Sequence, residues 1–184
     1  NNPKTQNNVG EIIRAAGCYS INQVVYTGHR YTHAAKFIKK KNNTDTQNSR
    51  EQIPLTAIDD FLKLKQPSVE PQMATLPEET KIICVDLVEG ATPLPLFEHP
   101  EQALYVFGPE DGTISQAVID QADDVVYVPT VGCMNLAASV NVLLYDRLAK
   151  SLVKQNKLET DNTLIRNSRD TNNTAFVKGK VPQE

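Results

Sequence analysis

The chain has 184 residues, 40% of them hydrophobic, which is enough for one good core and short for two independent domains. No apolar run reaches the roughly 18 residues of a membrane helix, and the opening Asn-Asn-Pro-Lys is not a secretory signal, so a cytoplasmic protein with no membrane partner is expected. The net charge of −3 argues against a chain that coats nucleic acid generally, yet residues 1–50 carry eight Lys or Arg against Glu11 and Asp45, a balance of +6, and leave −9 for residues 51–184.

Residue 1 is not Met, and an upstream piece is expected to be missing. Asn8 is placed to cap a helix whose apolar Val9, Ile12, Ile13 and Ala16 share one face, with Gly17 as the stop and Arg14 off the apolar stripe. Gln23 to Tyr26 reads as a short buried strand ending at Thr27-Gly28, followed by a basic helix from about Thr32 to Lys40. Lys39-Lys40-Lys41 suits either phosphate contact or a helix end facing water. Residues 41–54 are a polar loop, and Thr56 is the expected cap of a helix reaching Leu64. Pro67, Pro71 and Pro77 mark a connector.

Lys81 to Val88, interrupted by Asp86, and the runs Ala103 to Phe107 and Val125 to Val128 read as parallel strands covered on both faces. A helix capped near Thr113 is expected over residues 114–122. The last long helix, about Asn135 to Val153, sets Leu136, Val140, Leu143, Leu144 and Leu148 on one broad face. Beyond Val153 the composition turns polar, which divides the chain into a domain of residues 1–153 and a tail of residues 154–184 expected to be flexible alone. Within the tail, Ile165 to Asn173 is rich in Arg and Asn, suited to phosphate and base edges or simply to water.

Cys18, Cys84 and Cys133 are odd in number and lie in apolar segments, the usage of reduced thiols. His29 and His33 have helical metal spacing but no third ligand nearby, and no metal is expected. The chain has no Walker loop, no Gly-x-Gly-x-x-Gly after a strand and no nucleophile elbow. Open parallel sheets bind ligands at the carboxyl ends of their strands. Here those ends are Asp86-Leu87, Phe107-Gly108 and Val128-Pro129, with Gly108 allowing close backbone approach and Met134 and Leu136 able to wall a flat ring.

Three separated stretches fall in one order: Asn8-Val-Gly-Glu-Ile-Ile-Arg14, Phe107-Gly-Pro-Glu110, and Val128-Pro-Thr-Val-Gly-Cys-Met-Asn-Leu136. Together they resemble motifs 1, 2 and 3 of the SpoU-type (TrmH-like) RNA 2'-O-ribose methyltransferases of the SPOUT superfamily, from about Asn2 to about Ala149. The resemblance implies an α/β-knot, a deep trefoil knot with a mostly parallel sheet in three α/β/α layers, and a first strand upstream of residue 1. It also implies a homodimer, S-adenosylmethionine as cofactor, and tRNA or rRNA rather than DNA as partner.

Carried over residue by residue, Asn8, Arg14 and Glu110 become the catalytic candidates. Asp86, Leu87, Gly108, Val128, Pro129, Cys133, Met134, Asn135 and Leu136 become the cofactor-binding ones. Arg30, Lys39, Lys40, Lys41 and Arg50 are the candidates for RNA contact. Arg14 resembles the family's catalytic arginine. A guanidinium stays protonated, so a phosphate clamp that also stabilises the developing alkoxide suits it better than a literal base. Glu110 can orient Asn8, Arg14 or the cationic cofactor, or serve as a strand-end hydrogen-bond partner. Two positions depart from the family: Gly112 stands one residue early in motif 2, and Cys133 stands where Ser is common. An RNA-binding or assembly protein that keeps the knot without methyl transfer is the alternative implied by those departures.

Overall fold

The computed structural model describes residues 2–37, 53–65, 76–157, 162–169, 172, 175 and 177. Two compact units are distinguished, Asn1–Ala149 and Lys150–Glu184. The first opens on helix α1 (Gln6–Cys18), strand β1 (Val24–Tyr26), helix α2 (Arg30–Phe37) and strand β2 (Leu55–Ala57). A 3-10 turn at Phe61–Lys65 follows, then β3 (Lys81–Val85), β4 (Thr92–Pro93), a second 3-10 turn (Leu94–Leu96) and β5 (Ala103–Phe107). Helix α3 (Gln116–Ile119), β6 (Asp124–Tyr127) and the long α4 (Leu136–Lys154), whose last five residues belong to the second unit, complete the series. In the second unit Thr163–Ser168 forms a short helix, α5, within the segment read from sequence as a flexible tail.

The described strand pairs are all parallel. β1 pairs with β2, and a four-stranded sheet runs in the order β4, β6, β3, β5. The chain therefore places β5 on one side of β3 and then β6 on the other. That reversal of direction is what opens a crevice at the carboxyl ends of the strands.

β3 shows why these residues make a buried parallel strand. Ile83 and Val85 point into a cluster with Ala15 of α1, Leu94, Phe97 and the α4 residues Val140, Leu143 and Leu144. Ile82 and Cys84 point the other way, against Ile58, Phe61, Leu64, Val106 and Ile114. Alternating side chains both find apolar cover, so the run has no polar face to show. A third cluster joins Val9 and Ile13 of α1 to Tyr31, with Tyr26 and Leu55 against it. The half-buried β1 and β2 are seated there.

A polar clamp ties α4 to the segment before β5. Arg147 donates from Nη1 to the Pro100 carbonyl at 2.7 Å and to Tyr105 Oη at 2.8 Å, and from Nη2 to the Glu101 carbonyl at 2.7 Å. His99 bridges Tyr105 and Asp146 through its two ring nitrogens, at 2.6 and 2.9 Å. Burial pushes the Tyr105 phenol above its ordinary pKa, opposed by the nearby Arg147 guanidinium.

Several sequence expectations are corrected. Asn8 does not cap α1. Thr5 does, its Oγ1 accepting from the Asn8 N–H at 3.4 Å, which leaves the Asn8 side chain free to reach elsewhere. Gly17 lies inside the helix rather than stopping it, and the left-handed turn falls on Ser20 at φ 53°. Thr56 starts no helix. Leu55–Ala57 pairs in register with Val24–Tyr26, and this long-range pairing overrides the local cap signal. The helix expected over residues 114–122 is limited to Gln116–Ile119 behind Ser115, because the Ile114 N–H is held by Asp86. The basic helix begins at Arg30, two residues early, and Lys39 to Lys41 lie outside the described residues.

Candidate active site

The crevice at the ends of β3, β5 and β6 is a cavity of about 370 Å3. Its lining comes from five places: Asn8 on α1, Val85 to Leu87 at the end of β3, Phe107 to Gly112 at the end of β5 and beyond, Val128 with Thr130 and Cys133 to Asn135 after β6, and Leu136 and Ser139 on the first turn of α4. The chain breaks off its strands here for a specific reason. Asp86 ends β3 by turning its carboxylate onto the backbone, accepting from the Leu87 N–H at 2.8 Å with Oδ1 and from the Ile114 N–H at 2.8 Å with Oδ2. One side chain thus fixes the exit of β3 and the far end of the loop after β5.

Gly108 is required by that carboxylate. A Cβ at this position would lie 2.7 Å from Asp86 Oδ2, inside contact distance. The close approach that the structure shows at Gly108 is by Asp86 of the chain itself.

Asn135 joins the first and third motifs. Its Oδ1 caps α4 by accepting from the Ala137 N–H at 2.9 Å and the Ala138 N–H at 3.3 Å, and its Nδ2 donates to Asn8 Oδ1 at 2.9 Å, across 127 positions of sequence. With its carbonyl engaged, Asn8 keeps its amide hydrogens for a ligand. Glu110 ties the second motif to the residues that lead into the first. Its Oε1 accepts from the Lys4 N–H at 3.3 Å, from the Thr5 N–H at 3.2 Å and from Thr5 Oγ1 at 3.3 Å. α1 has no acidic residue in its own first turn, so this carboxylate supplies the negative charge that a helix amino terminus favours.

Next to it Asp111 takes a bidentate grip from Arg30, at 2.7 and 2.9 Å, with Lys4 Nζ 3.5 Å away. The Arg30 hydrogen bond holds the Asp111 carboxyl below its ordinary pKa, and the same bond raises that of Arg30.

Of the residues singled out from sequence, Asp86, Leu87, Gly108, Val128, Cys133, Met134, Asn135 and Leu136 all line the cavity, as do Asn8 and Glu110. Pro129 is exposed and outside the lining, and so is Arg14, on the α1 that carries Asn8. Arg30 is engaged by Asp111, while Lys39, Lys40, Lys41 and Arg50 lie outside the described residues. Sequence reasoning passed over Thr130, Ser139 and Asp111. Ser139 was within reach, since it stands one helical turn after Asn135 on the same face.

A family model described as "SpoU rRNA Methylase family" matches residues 1–145. No curated protein matches the chain. Among solved structures it is similar to the SpoU methyltransferase AviRb from Streptomyces viridochromogenes in complex with AdoMet, at 18% identity and a TM-score of 0.62, over 82% of this chain and 56% of that one. It is similar also to the A. aeolicus TrmH/SpoU tRNA modifying enzyme, at 18% identity and a TM-score of 0.62, over 84% of this chain and 74% of that one. An rRNA methyltransferase from Sinorhizobium meliloti shares 15% identity at a TM-score of 0.59, over 80% and 54% of the two chains. The chain thus spans little more than half the length of AviRb. At these identities the solved structures speak to the fold.

Proposed function

The chain belongs to the SpoU rRNA Methylase family, and from that premise we propose that it transfers a methyl group from S-adenosylmethionine to a ribose 2'-hydroxyl of tRNA or rRNA. The observation that carries this reading is the cavity in which residues of all three motifs meet, at the carboxyl ends of parallel strands. Its volume of about 370 Å3 is in the range of small-molecule sites. Leu87, Val128, Met134 and Leu136 offer apolar walls for adenine, and Asn8, Asp86, Asn135 and Ser139 offer polar groups for the ribose and amino-acid ends.

When bound, the cofactor supplies a methyl group already activated by its sulfonium. The protein's own task is positioning, which can provide most of the rate. With the cofactor in place, the ribose oxygen would take the methyl group and its proton would pass to water, while the residues of this chain would hold the two reactants in line. Arg14, exposed on the helix that carries Asn8 and outside the cavity lining, would have to reach the bound RNA from there to clamp its phosphate and stabilise the developing alkoxide. Asn8 is held toward the cavity by Asn135, and Glu110 fixes the start of the helix that carries both Asn8 and Arg14.

The same reading includes a trefoil knot between about Ala103 and Ala149, where Phe107 to Glu110 and Val128 to Leu136 come together. It includes a homodimer through α4, supported by the exposure of Val142, Tyr145 and Leu148 on that helix. It also includes a cytoplasmic location, a methyltransferase domain of residues 1–153, and a polar tail of residues 154–184.

Titration calorimetry with S-adenosylmethionine and S-adenosylhomocysteine tests the reading. Saturable binding is expected, lost in Gly108→Val, whose side chain would collide with Asp86. Absence of heat at millimolar ligand with the folded wild-type protein would refute it.

A further inference from the structure

Resting on the RNA reading above, we propose that Arg30 and Lys4 form a seat for a phosphate of the substrate RNA, and that Asp111 is a resident carboxylate which occupies this seat until RNA arrives. The first support is geometric. Arg30 presents both arms of its guanidinium fork to the two oxygens of Asp111, at 2.7 and 2.9 Å, and Lys4 Nζ adds a second cation at 3.5 Å. A fork flanked by an ammonium group fits a phosphate as well as a carboxylate, because both present two oxygens at matching spacing.

The second support is placement. Gly28, at φ +78°, turns the chain out of β1, and the Asn2 side chain accepts from the Arg30 N–H at 3.4 Å, which seats Arg30 at the start of α2. Asp111 lines the cavity, so the cationic pair lies at its rim, where a nucleotide whose ribose enters the site must run its backbone.

The third is displaceability. Side-chain exposure is 58% for Lys4, 31% for Arg30 and 51% for Asp111, so water already solvates these charges and the bridge contributes little net stability. A polyanion can take the place of a single carboxylate here without any buried charge being stranded. Asp111 stays ionised well into acid because Arg30 depresses its pKa, and so it remains a competitor across the neutral range.

The arrangement also couples the two ligands. Asp111 belongs to the loop of residues 108–112 that walls the cofactor cavity, so a phosphate on Arg30 frees one end of that wall. Glu110, held by Lys4 and Thr5 through backbone N–H groups, keeps the other attachment.

The test measures binding of a labelled, unmodified tRNA transcript by anisotropy across a KCl series, without cofactor, for wild type, Asp111→Asn, Arg30→Gln and the double variant. Asp111→Asn is expected to tighten binding about two- to fivefold, the leverage of one exposed ion pair, and to steepen the salt dependence by about one counterion. Arg30→Gln is expected to weaken binding and to abolish the gain from Asp111→Asn. A gain that persists in the double variant would mean a general charge effect, and weaker or unchanged binding in Asp111→Asn would mean a structural bridge. Either overturns the proposal.

Inorganic phosphate is the second probe. It should raise the melting temperature of Asp111→Asn but not of the double variant. If phosphate does so while RNA affinity is unmoved, the seat takes small anions and the RNA assignment falls. Because these readouts omit S-adenosylmethionine, failure of cofactor binding would sink the methyltransferase reading and leave this result standing.

Discussion

A methyl group at position 108 would lie 2.7 Å from Asp86 Oδ2, on an oxygen already committed to the Ile114 N–H. Gly108→Ala therefore has to dislodge a charged hydrogen bond, at a cost of about 1–3 kcal/mol, readable from urea unfolding. In an Asp86→Ala background the obstacle is gone, and the same substitution should cost much less, so the two changes couple in a double-mutant cycle. Cys84 gives a pH prediction. It is fully buried, and desolvation, with a smaller contribution from Asp86, pushes its thiol from 9.0 to about 11. Over that interval the unfolded chain releases the proton and the native protein keeps it. Stability is then fully present below pH 9 and falls as the pH rises to about 11, by about 2–3 kcal/mol at 1.36 kcal/mol per unit. Cys84→Ala should lack this part of the alkaline loss when the two are unfolded side by side. The lining residues Asn8, Gly108, Glu110 and Asn135 were legible only through the order and spacing of three motifs that resemble a family, since a glycine at a strand end or an asparagine at a helix start alone is commonplace. Their partners were not. Asn8 meets Asn135 and Arg30 meets Asp111 only through the folded chain, and no local pattern encodes a contact across 127 or 81 residues.

At the scale of elements, α1 is held at its start by a residue from another part of the chain. Thr5 alone is a weak cap, with 3.4 Å to the Asn8 N–H, and Glu110 supplies the missing acceptor for Lys4 and Thr5. Glu110→Ala should cost about 1 kcal/mol in thermal or urea unfolding, and Glu110→Gln less, since an amide oxygen still accepts but carries no charge to the helix terminus. A purely catalytic Glu110 would leave stability unchanged in both. β3, β5, β6 and α4 were readable from apolar periodicity because burial on one or both faces leaves a repeating trace. Two elements were misread. Thr56 carried a plausible cap, but pairing with β1 decides the conformation of Leu55–Ala57, and Ile114 is withdrawn from α3 by a hydrogen bond to Asp86.

For the unit Asn1–Ala149 as a whole, stability and function meet at β3, whose side chains fill clusters on both faces and whose end opens the cavity. Leu143, fully buried against the face of β3 that carries Ile83 and Val85, should cost about 2–5 kcal/mol on change to Ala. Ligand bound at a hundredfold excess over its dissociation constant should stabilise the native state by about 2.7 kcal/mol, visible as a higher melting temperature. The central claim is the chemistry performed at that cavity, and nucleoside mass spectrometry of tRNA and rRNA from cells lacking this protein tests it most directly. The account predicts that one 2'-O-methylated nucleoside disappears and is restored by the wild-type chain but not by Arg14→Ala. A complete inventory of 2'-O-methylated nucleosides in those cells, or loss of a base-methylated one instead, would contradict it.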